Sequence, residues 1–116
     1  MDKIKADFDA PTIRLVAEVM VAILFRPLPG LELERLVLRE WWGRVSAKFG
    51  WIDGMGTHSS FRVSLRPSEA LALHRILQVV PLPDDWDVDR QALTAQIEPK
   101  LIPFQPDRGA LKLLQP

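Results

Sequence analysis

Proline placement limits this chain more than any other feature. Of its ten prolines, Pro27 and Pro29, Pro81 and Pro83, and Pro99, Pro103 and Pro106 fall in clusters. Each disfavours helix at the residue before it, so no helix is expected to run through a cluster. The chain is thereby divided into short elements. With 116 residues there is room for one core and not for a second, so one domain over 1–116 is expected. No internal repeat or low-complexity tract interrupts it.

Between the prolines the pattern changes from segment to segment. Residues 1–11 are polar and are expected to form a flexible arm, with Ile4 and Phe8 as docking points. From Thr12 to Phe25, Arg14, Glu18, Ala22 and Arg26 stand four apart, a narrow polar stripe on an otherwise apolar and mostly buried helix. Thr12 is the expected cap. A buried strand over Val19–Phe25 is the rival, and the period of four favours helix. Arg26 to Gly30, R-P-L-P-G, is a turn. Leu31 to Glu34 alternates and reads as helix or extended chain. Leu38, Trp41, Trp42, Val45 and Phe49 then line one helix face, ended by Gly50 in a left-handed conformation. Gly43 inside that helix is unfavourable by about 1 kcal/mol against alanine, and a close packing contact there is the expected reason for it.

Trp51 to Ser60 is a glycine-rich loop. Phe61-Arg62-Val63-Ser64-Leu65 alternates strictly, a half-buried strand with Phe61, Val63 and Leu65 inward. Pro67 and Ser68 open a helix with Leu73, Ile76, Leu77 and Val80 on its apolar face and Glu69 near its positive end. A last helix is expected over Val88–Glu98, with Leu93 and Ile97 paired and Pro99 ending it. Residues 102–116 form a proline-rich tail able to dock. One short strand is not stable alone, so Phe61–Leu65 needs a neighbour: Trp51–Met55 as a hairpin, Leu111–Leu114, or a second copy of the chain. The fold class is therefore α+β: a small, mostly helical domain of about four helices with a short β-sheet or hairpin including Phe61–Leu65.

Composition removes several functions. There is no cysteine, which excludes disulfides, thiolate metal sites and a cysteine nucleophile. Fifteen basic residues balance fifteen acidic ones, so no global field selects nucleic acid or membrane. The N-terminal residues lack signal-peptide features, and Val19–Phe25 is far short of the roughly 20 residues that span a bilayer. A soluble cytoplasmic protein without membrane contact is expected.

Four constellations carry chemistry worth weighing. Asp85, Asp87 and Asp89 resemble the opening of a calcium loop, but Arg90 and Gln96 stand where that loop needs glycine and a bidentate glutamate. Acids complementing a helix N-terminus explain them. The loop Asp53 to Ser60 carries amides and hydroxyls suited to an anion, with Thr57, His58, Ser59 and the nearby Arg62 as contact residues, yet it lacks the ending of a phosphate-binding loop. His58 and His74 are too few for zinc without help from Asp53 and Glu69, and no nucleophile elbow is present. No metal, cofactor or catalytic residue is assigned. Arg39, Arg44, Arg62 and Arg66 lie in a mildly basic middle region among Trp41, Trp42 and Trp51, the combination that single-stranded nucleic acid binding uses and that protein hot spots also use. Trp41 and Trp42 are adjacent, roughly 100° apart on a helix, so Trp42 is expected to face a partner.

These observations favour a small non-enzymatic protein-interaction or regulatory domain that self-associates, as a homodimer, or binds another protein. A nucleic-acid-binding accessory protein is the alternative. A small-ligand or anion-binding domain at the glycine-rich loop is the second.

Overall fold

A computed structural model describes residues 3–26, 28–49 and 60–102. Residues 50–59 and 103–116, with Trp51, Asp53, Thr57, His58 and Ser59, lie outside the described residues. Within them the chain is α+β, mostly helical, with four helices and one two-stranded antiparallel sheet.

Of the three expected neighbours of Phe61–Leu65, Trp51–Met55 and Leu111–Leu114 lie outside the described residues, and the neighbour found within the described residues is a fourth. It is β1, Ile4–Asp9, within the segment read as an arm. I-K-A-D-F-D alternates as strictly as F-R-V-S-L, and its burial alternates with it: Ile4, Ala6 and Phe8 are buried while Lys5, Asp7 and Asp9 are exposed. Three apolar side chains at period two are enough to seat a strand once a partner lies beside it. β2, Ser60–Leu65, pairs with β1 in the register Ile4↔Leu65, Ala6↔Val63, Phe8↔Phe61. Val63 and Leu65 are buried beneath the sheet and Phe61 is half-buried.

Asp9 turns the strand directly into α1, Ala10–Phe25. Its carboxylate caps the helix, accepting from Thr12 N at 2.9 Å and Thr12 Oγ1 at 2.6 Å. Thr12 is thus held by the cap instead of providing it. Pro11 sits in the first turn, where its missing N–H removes no helix bond. Val19–Phe25 is helical, but not as buried as its apolar run suggests. Ile13, Leu15, Val16, Val19, Met20 and Ile23 are inside, whereas Val21, Leu24 and Phe25 are exposed. Gly30, with φ 83°, makes the turn that follows, a backbone conformation suited to glycine.

α2, Glu32–Val45, takes up the L-E-L-E stretch as helix and runs into a 3-10 turn over Ser46–Phe49. Leu38, Trp41 and Val45 are buried, with Trp42 half-buried beside them. The close contact expected at Gly43 is not there: a Cβ added at that position would meet nothing within 4 Å. Packing therefore does not explain this glycine.

α3, Pro67–Val79, follows β2 after the single residue Arg66 and buries Leu73, Ile76 and Leu77. Glu69 accepts from Arg66 N at 2.8 Å, satisfying a main-chain donor at the helix start. After a 3-10 turn over Asp84–Trp86 comes α4, Asp87–Leu101. Pro99 does not end it. Leu93, Ile97 and Leu101 are all buried at a spacing of four, so a turn beyond Pro99 is held by the packing of Leu101. Asp87 and Asp89 lie in the first turn of α4, where the dipole favours acids. α3 packs between α2 and α4, and α1 packs against α4. Trp41 is fully buried, with the ring of Phe8 edge-on at 6.3 Å and that of Trp42 tilted at 6.0 Å.

Candidate interaction surfaces

The residues singled out from the basic middle region separate in space by role. Trp41 belongs to the core, so it offers no stacking platform. Trp42 packs on it from the half-buried side of α2. Arg39 and Arg66 are exposed, Arg66 at the start of α3. Arg44 and Arg62 come together: both line a hollow of about 260 Å³ beside β2, along with Lys3, Val45, Phe61, Val63 and Ser64. His74 is buried on α3. Of the loop-tip set, Asp53, Thr57, His58 and Ser59 lie outside the described residues, and only Arg62 can be placed.

Each arginine of the hollow has an acidic partner outside its lining. Arg44 Nη2 contacts Glu69 Oε2, a carboxylate on a residue only 4% exposed. The same carboxyl caps α3 through Oε1, so one buried acid joins the end of α2 to the start of α3. Arg44 itself keeps 45% of its side-chain surface exposed. Arg62 Nε lies 3.5 Å from Asp7 Oδ1, directly across the sheet, with both side chains well exposed. Such a pair contributes little to stability.

The outer edge of β1 is closed by α4. The Gln96 carboxamide accepts from Asp7 N and donates to Asp7 O, and Lys100 Nζ donates to Lys5 O. A helix side chain here makes the two bonds that a third strand would make.

A second surface is apolar. Along α1, Glu18, Val21, Ala22, Phe25 and Arg26 line a groove of about 400 Å³ closed on the other side by Pro81, Leu82 and Pro83. Phe25 is 80% exposed, Val21 50% and the adjoining Leu24 47%. The groove carries an acid, Glu18, and a base, Arg26, separated by two turns of helix. The sequence did carry a signal for it. The P-L-P stretch cannot continue α3, and placed beside an apolar helix end it leaves that end uncovered.

Among the described residues no group of three or more metal-ligating side chains gathers, and no helix is long and apolar enough to cross a membrane. Comparison of the chain with family models, curated proteins and solved structures gives no match.

Proposed function

We propose that this chain is a small protein-interaction domain that works as a homodimer, formed through the groove of α1 and Pro81–Pro83. The observation that carries this is the composition of the groove: exposed Phe25 and Val21 between Glu18 and Arg26. A surface that carries both an apolar centre and one charge of each sign is complementary to itself under a two-fold axis. Glu18 of one copy then meets Arg26 of the other while the two Phe25 rings bury each other. Aromatic anchors inside a polar rim are the usual energetic centre of such contacts.

Sedimentation equilibrium of the full chain at high micromolar concentration tests this. A dimer is expected, and Phe25→Glu is expected to return it to monomer without altering the circular dichroism spectrum. Glu18→Arg and Arg26→Glu should each weaken the dimer, and an equimolar mixture of the two should restore it. A wild-type monomer, or a dimer indifferent to Phe25→Glu, removes the proposal.

A further inference from the structure

We infer that the outer edge of β2, which no described strand covers, is a docking site for an extended acidic peptide, which would add as a third strand. The phase of the sheet supplies the first ground. Gln96 and Lys100 bond main-chain groups of Asp7 and Lys5 on the side away from β2. Lys5↔Ser64 and Asp7↔Arg62 are therefore the non-hydrogen-bonded pairs of the ladder, whose N–H and C=O groups point away from the partner strand. It follows that Arg62 and Ser64 turn their main-chain donors and acceptors to the outer edge of β2. Among the described residues no strand lies there and no side chain bonds those groups.

The second ground is the hollow beside that edge. Four consecutive residues, Phe61 to Ser64, line it. Alternate side chains of a strand point to opposite faces, so a hollow lined by consecutive residues meets the main chain of β2 as well as its side chains. Val45, Phe61 and Val63 supply apolar wall, while Lys3, Arg44 and Arg62 supply charge, and among the described residues that line it none is acidic. Arg44 is held in place by Glu69 with nearly half its side chain still free. Main-chain pairing would give affinity and the alternate side chains specificity, the division of labour in strand addition. Charge complementarity then selects acids at the positions facing Lys3, Arg44 and Arg62. The dimer groove on α1 shares no lining residue with this hollow, so the two proposals stand separately.

Two measurements on the full chain test the inference. Amide hydrogen exchange of the free protein should show Arg62 and Ser64 exchanging fast while Phe61, Val63 and Leu65, bonded to β1, exchange slowly. Protection of Arg62 and Ser64 in the free chain means the edge is already filled, by a second copy or by residues 50–59, and overturns the proposal. Fluorescence anisotropy then follows a labelled hexapeptide alternating glutamate and valine, at low salt, against the matching lysine–valine peptide. The acidic peptide is expected to bind and the basic one not to bind. Arg62→Glu should weaken binding at least tenfold. Ser64→Pro should do the same, because it deletes an edge donor that β1 does not use. Binding that survives Ser64→Pro in a folded variant, equal binding of both peptides, or a single-stranded oligonucleotide that competes with equal affinity would each overturn strand addition. Should Ser64→Pro fail to fold, the acidic peptide with alternate N-methylated amides replaces it: retained affinity on the face presented to β2 counts against the proposal, lost affinity supports it.

Discussion

The outer edge of β1 and the outer edge of β2 belong to one sheet of two strands, yet their surroundings differ in kind. Along β1, Gln96 takes both main-chain polar groups of Asp7 and Lys100 reaches Lys5. Along β2, a hollow rimmed by Lys3, Arg44 and Arg62 runs beside four successive residues. An unprotected strand edge invites pairing with other chains, and proteins manage it by covering the edge or by charging it. Both devices occur here, one on each side. The covered edge contributes to the fold.

Phe8 is fully buried on β1 with its ring edge against Trp41, so Phe8→Ala should lower unfolding free energy by about 4 kcal/mol in a urea titration. A loss below about 1 kcal/mol would return β1 to a loosely held arm, since a core phenylalanine is not removed so cheaply. On the β2 side, Arg44→Met keeps the aliphatic stem but strips a buried carboxylate of its charged partner. It should reduce stability by about 2 kcal/mol, less than for a fully buried pair because Arg44 is half-exposed. Removing Glu69 also deletes the cap of α3, so the double variant should lose less than the sum of the two single losses, a difference that a double-mutant cycle measures. The smallest effect is expected at the covered edge. Gln96→Ala should remove about 1 kcal/mol and speed exchange of the Asp7 amide, leaving the Arg62 amide unchanged. An equal effect on both amides would show that the two edges are not independent.

Local regularities were legible wherever period and capping chemistry agreed. F-R-V-S-L followed by Pro67, Ser68 and Glu69 announces a strand and a helix start, and both are found. The equally regular I-K-A-D-F-D resembles a solvated arm, because a lysine and two acids stand between and after its apolar residues. What distinguishes a strand from an arm is the presence of a partner, which lies more than fifty positions away in this chain. Pro99 illustrates the opposite error. Its local chemistry says stop, but Leu101, one turn on from Ile97, has a buried place to occupy and the helix reaches it. The basic hollow was half visible. Arg44 and Arg62 belong to a set of four arginines that composition cannot divide, with Arg39 and Arg66, and Lys3 joins them only through the strand pairing.

The sequence alone determined the α+β class, the turn that ends at Gly30, the helix begun at Pro67 and the pairing of Leu93 with Ile97. These depend on neighbours within one or two turns, where backbone sterics and periodicity act. Tertiary structure decided which strand meets β2, which apolar residues of α1 stay uncovered, and which edge of the sheet α4 covers. Each of those outcomes is set by contacts between residues far apart in the chain. Burial makes such contacts favourable only after the elements have come together. Val19 and Val21 differ in no local property, and yet one is fully buried and the other half exposed.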